Sequence, residues 1–142
     1  MNKSIPFTVL KLGRTPLEGR YVAEPKVFVF REELAWNDFW RFSCLPRLSV
    51  RSSTLPKIDF AHQMVIGLTS GFRPTGGYRL QIDAIAATEN LPFEQWVIHY
   101  TEQVPDLCVV TQQPTTPTLF VMTEKSEAAI ELQGQTVTYP YT

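Results

Sequence analysis

The sequence predicts one mainly β domain, an antiparallel β-sandwich or barrel-like fold with a single amphipathic helix near residues 32–43. Three observations predict it. Short runs that are apolar or alternate apolar with polar recur along the chain, separated by glycine- and proline-bearing turns. One stretch alone changes to a helical period. A chain of 142 residues, 44% hydrophobic and 19% charged, has the length and balance of one globular domain, 1–142, whose core needs no disulfide or metal.

The elements follow in order. Residues 5–12 alternate Phe7 and Val9 against Thr8 and Leu10, a first strand ended by the turn residues Gly13-Arg14-Thr15-Pro16. Residues 21–31 are β-like, and Val27-Phe28-Val29-Phe30 is apolar on both faces, as a covered strand would be. Between 32 and 43 the residues Trp36, Phe39, Trp40 and Ser43 fall at i, i+3, i+4 and i+7, opposite Asn37, Asp38 and Arg41. Glu32 and Glu33 suit the positive end of that helix dipole. Its ring-rich face reads as core packing against a sheet. Pro46 ends the helix, and the polar, basic stretch 47–57 reads as a loop.

Beyond it the pattern is β again. Residues 58–60 make a short strand and 63–69 a buried one. Tyr78, Leu80 and Ile82 alternate with Arg79, Gln81 and Asp83 on a half-exposed strand, and Trp96, Ile98 and Tyr100 repeat the scheme over 95–102. Residues 108–111 and 119–123 carry further strands. Residues 128–132 and 135–139 close as a terminal hairpin, about 128–139, over Gln133-Gly134.

Charge excludes some roles. With 13 basic and 14 acidic side chains the net charge is −1, so there is no general attraction to nucleic acid or anionic lipid. No apolar run reaches the roughly 20 residues needed to span a bilayer, and no apolar segment of a signal peptide follows the first lysine. If Met1 is the native start the expected location is cytoplasmic; a trimmed chain would be exported. Cys44 and Cys108 read as two buried thiols, pairing only in an exported chain.

Catalytic and metal signatures are weak. The only histidines, His62 and His99, lack metal-ligand spacing to each other or to a cysteine. Asp59, Asp83 and Glu102 are scattered along strands and read as a solvated face, with no pair spaced to divide acid and base roles. The expectation is a protein that is not an enzyme and takes no cofactor and no metal.

The run Gly71-Phe72-Arg73-Pro74-Thr75-Gly76-Gly77-Tyr78 stands apart. Placed between two strands, it is expected as an exposed hairpin loop. Pro74 fixes one turn angle, and Gly76 or Gly77 supplies a positive φ. Turn geometry leaves Phe72, Arg73 and Thr75 unexplained. The expected protein-binding residues are therefore Phe72, Arg73, Pro74, Thr75, Gly76, Gly77 and Tyr78. Tyr78 reads first as a contact residue, with a core ring anchoring the hairpin as its alternative. Loss of the Arg73 side chain is expected to leave stability nearly untouched. A second loop, Gln112-Gln113-Pro114-Thr115-Thr116-Pro117-Thr118, reads first as an entry into an edge strand.

Met64-Val65-Ile66-Gly67-Leu68, the Arg73-Pro74-Thr75-Gly76-Gly77-Tyr78 core and Thr115-Thr116-Pro117-Thr118-Leu119-Phe120-Val121 together resemble the PrcB C-terminal domain family. The likeness spans about 34–125, including the Trp36–Trp40 helix and a turn at Pro105. It implies a non-catalytic subunit that stabilises or assembles with a peptidase, so that the partner is a protein of that kind. Many members of the family are exported or lipid-anchored, and this chain shows no such signal. Pro74-Thr75-Gly76-Gly77-Tyr78 is also similar to a loop of chagasin-type cysteine-peptidase inhibitors, which are immunoglobulin-like sandwiches. Here Arg73 replaces that loop's asparagine, Gly76 replaces its second threonine, and its companion loops are missing.

Overall fold

The computed structural model describes residues 2–11, 21–41, 57–90, 93–106 and 115–140. Cys44, Cys108, Ser43, Pro46 and the strand expected over 108–111 lie outside them. The described elements are β1 (Asn2–Ser4), β2 (Phe7–Val9), β3 (Lys26–Phe30), α1 (Glu33–Arg41), β4 (Gln63–Thr69), β5 (Arg79–Asn90), β6 (Phe93–Asp106), β7 (Thr118–Glu124) and β8 (Ala129–Pro140). They form two four-stranded sheets, one ordered β1-β5-β6-β8 and the other β2-β7-β4-β3, so the arrangement is a sandwich and not a closed barrel.

The alternation of side chains builds two cores. Met64, Ile66 and Leu68 of β4, with Val121 of β7, meet Ile82, Ile85, Trp96, Ile98 and Tyr100 of the other sheet. The opposite face of the second sheet, with Phe30, Val65 and Phe120, is covered by Trp36 and Trp40 of α1 and by half-buried Phe39. β4 is thus covered on both sides, which is why its sequence is an unbroken apolar run. Gly67 serves this packing. Its register partner Phe120 lies across it, and a Cβ there would stand 2.6 Å from the ring. The helix starts at Glu33 and has the expected inward face.

Four sequence expectations change. The strand expected over 5–12 shortens to β2, and β1 precedes it in the other sheet, the chain crossing between the two at buried Ile5, whose N–H donates to the Ile85 carbonyl at 2.8 Å. Residues 58–60 are not a strand. Asp59 instead opens a turn in which its carboxylate accepts from the Ala61 N–H and lies 2.8 Å from His62 Nδ1. The His62 contact, then the Ala61 amide, holds the Asp59 carboxyl below its ordinary value. Pro105 is not at a turn but in β6, beyond the last residue that pairs with β5.

The largest change is at the C-terminal end. Residues 128–139 do not close on themselves as a hairpin. They run as the single strand β8, which lies parallel to β6 along its length, so the first sheet is not wholly antiparallel. Gln133-Gly134 has the composition of a turn, but Gly134 is there for close approach: a Cβ on it would overlap the ring of Tyr100, its register partner. Each sheet therefore pairs a glycine with an aromatic ring lying over it.

In β5 the ladder slips between Ile82 and Ala84, leaving Asp83 as an extra residue. The bulge switches the strand's inward parity from Ile82 to Ile85 and Ala87. Asp83 projects to the outer face, where it accepts from Gln81 Nε2 and Thr101 Oγ1.

Candidate functional site

Residues 71–78 do not form a hairpin tip. β4 and β5 belong to different sheets, so this segment carries the chain across one end of the sandwich. Crossing between sheets needs a sharp change of direction, and Gly71 and Gly77 supply it at φ 104° and 94°. The first is also crowded: a Cβ on Gly71 would stand 3.2 Å from the Val22 carbonyl oxygen.

The segment is tied down at several points. The Phe72 N–H donates to the Val22 carbonyl at 2.7 Å. Arg73 and Thr115 exchange both backbone hydrogen bonds, at 2.7 and 2.8 Å. Thr115 Oγ1 donates to the Thr75 carbonyl.

The chemistry centres on Glu102. It follows Trp96, Ile98 and Tyr100 at two-residue intervals on β6, so strand parity turns it inward, and only 6% of its side chain is exposed. An unpaired carboxylate there would be costly to bury. Arg73 meets it with two nitrogens, Nε to Oε2 at 3.0 Å and Nη2 to Oε1 at 2.7 Å, a fork on a carboxylate. Buried Ser70 donates its hydroxyl to Oε2 at 2.6 Å. Arg73 also donates to the Ser70 and Phe72 carbonyls, and its guanidinium lies 5.5 Å from the Tyr78 ring centre. Contact with Glu102 raises the Arg73 pKa above its ordinary value. Tyr100 is raised chiefly by burial, with the Glu102 charge adding to it.

The expected binding residues therefore divide. Arg73 is drawn inward and holds the segment. Gly76 is buried, and Thr75 and Tyr78 are half-buried. Pro74 and Gly77 are exposed. Half-buried Phe72 packs its ring 5.2 Å from that of Tyr21, which is 76% exposed. Next to them Tyr21, Val22, Glu24, Lys26 and Phe28 line an open hollow of about 450 Å³. Tyr21 and Glu102 were not expected at the site. Glu102 was legible from its two-residue spacing behind Tyr100, whereas no local signal marks Tyr21. The solvated reading holds for Asp59 and Asp83, which are exposed, and fails for Glu102.

Neither histidine joins this cluster among the described residues. His62 is exposed in the turn before β4, and His99 lies in the middle of β6 on the face opposite Tyr100. Among the described residues no three His, Cys, Asp or Glu side chains could together hold a metal ion, and no helix is long and apolar enough to cross a membrane.

Residues 64–124 match the family model described as PrcB C-terminal. The matched segment runs from β4 through β7, so it contains Ser70, Arg73 and Glu102 together with the whole crossing between the sheets. It confirms the family resemblance for that segment and begins after α1, later than the expected 34. No curated protein and no solved structure matches the chain.

Proposed function

We propose that this chain is a non-enzymatic binding and assembly module whose partner is a protein, by family resemblance a peptidase or peptidase complex. The contact surface in this reading is the end of the sandwich where Tyr21, Phe72 and Pro74 face outward. The observation that carries it is the Arg73–Glu102 fork. It fixes the crossing segment from within and leaves an aromatic pair and a proline on the surface. A preformed aromatic patch binds with little ordering cost, and such residues are typical anchors of protein contacts. Arg73 positions this surface and does not itself reach the partner.

The test is a photo-reactive residue at position 74, expressed in the source cell, with the cross-linked chains identified by mass spectrometry. A peptidase or a subunit of its complex is expected, and the cross-link is expected to vanish in Tyr21→Ser/Phe72→Ser at unchanged melting temperature. Equal cross-linking by that variant would remove this surface from consideration. Stoichiometric block of a papain-type peptidase by the purified chain would favour the chagasin-like inhibitor reading instead.

A further inference from the structure

Four strands lie at the sheet edges: β1, β8, β2 and β3. Two have three residues and β3 has five, beginning with Lys26, so each is short in the way that natural edges are kept safe. β8 differs. It has 12 residues, Glu131 is its only charged one, and its only proline is Pro140 at the very end. From Gln133 to Thr138 every residue is exposed. Among the described residues no strand pairs with its outer side, so a row of backbone donors and acceptors faces outward there.

We propose that β8 is a self-association edge: two copies of this chain pair β8 with β8, antiparallel about a two-fold axis, and extend the four-stranded sheet to eight strands. The charge pattern selects a second copy as the occupant. A two-fold lays the middle of the strand on itself, so any charge there would meet its like, and opposed like charges destabilise a strand pair. The middle of β8, Gln133-Gly134-Gln135-Thr136-Val137-Thr138, has none. When Gln135 faces Gln135 of the second copy, Glu131 falls opposite the uncharged position 139. A foreign strand chosen by charge would find nothing on this edge to select it. Gln135 is already held by its bond to Thr101 Oγ1 at 2.9 Å, so the central position of the pairing is ordered in advance.

Sedimentation of the full chain over a wide concentration range tests this, read beside hydrogen exchange of β8. A reversible dimer is expected, with slower exchange at residues 133–138 as concentration rises. Thr136→Lys/Val137→Lys places like charges across the axis on exposed positions. It is expected to abolish the dimer without lowering the melting temperature. Phe72→Ser, which alters the proposed docking surface, is expected to dimerise like the parent, so the two proposals fail separately. A chain that stays monomeric at every concentration, whatever else it binds, overturns the inference. So does a dimer that survives in the lysine variant.

Discussion

Arg73 closes on Glu102 from a segment 29 residues away, meeting both carboxylate oxygens while Ser70 donates to one of them. The pair joins the crossing segment to β6 at a place where one partner is almost fully buried and the other about a quarter exposed. Truncating the arginine strands a buried carboxylate, which is the expensive way to break such a pair. Arg73→Ala is expected to cost about 3 kcal/mol in chemical denaturation, against the near-zero effect that the sequence suggests. Replacing both partners, Arg73→Met with Glu102→Leu, is expected to cost less than Arg73→Ala alone. A double variant worse than the single one would mean that the pair supplies net attraction beyond cancelling its own burial.

Gly67 makes a second prediction. The Phe120 ring sits 2.6 Å from where a Cβ would be, and that ring is packed between the sheet and Trp36, at 5.9 Å from the indole centre. It has no room to retreat. Gly67→Ala is expected to destabilise by about 1–3 kcal/mol, as overpacking does, even though alanine suits a strand better than glycine. Gly67→Ala with Phe120→Leu is expected to recover part of that loss. Equal losses in the two variants would show that the ring is not what excludes the methyl group.

These cases separate what a sequence can and cannot show. The bounds of β4 and the inward face of α1 were legible because periodicity is local: Trp36, Phe39 and Trp40 mark one side of any helix formed there. The course of β8 was not, because Gln133-Gly134 has turn composition and only the distant Tyr100 ring explains the glycine. The role of Arg73 was half legible. Its loop was the conspicuous one, but the direction of its side chain depends on a carboxylate brought in by another strand. Strand parity behind Tyr100 marks Glu102 as inward-facing, a signal that its reading as part of a solvated face passed over. The Tyr21–Phe72 pairing has no local trace at all.

The helix layer leads to a third prediction. Among the described residues the buried indole N–H groups of Trp36 and Trp40 meet no hydrogen-bond acceptor, in a cluster with Phe30, Phe39 and Phe120. An unsatisfied buried donor costs about 1–3 kcal/mol, so removing it offsets the smaller volume of a phenyl ring. Trp40→Phe is therefore expected to change stability by under about 1 kcal/mol, whereas Trp40→Ala should cost about 3–5 kcal/mol through the cavity it leaves. Thermal and urea unfolding of the two variants measures the difference. A Trp40→Phe loss as large as that of the alanine variant would show that the indole has a role which a phenyl ring cannot fill.

Tyr100 gives the pH dependence. Its ring lies buried over Gly134, and burial first, then the nearby Glu102 charge, push its hydroxyl above the ordinary 10.0. The folded protein therefore holds that proton more tightly than the unfolded chain does. The resulting contribution is complete below pH 10.0 and is lost as pH rises past that value toward the raised native one, because unfolding then releases a proton. Urea unfolding from pH 8 to 11.5 is expected to show a fall in stability at the alkaline end that is smaller in Tyr100→Phe, which has no hydroxyl to ionise. The two proteins should differ by a constant amount below pH 9, since neither ring titrates there. Parallel curves through the alkaline range would mean that the Tyr100 hydroxyl titrates alike in the folded and unfolded chains.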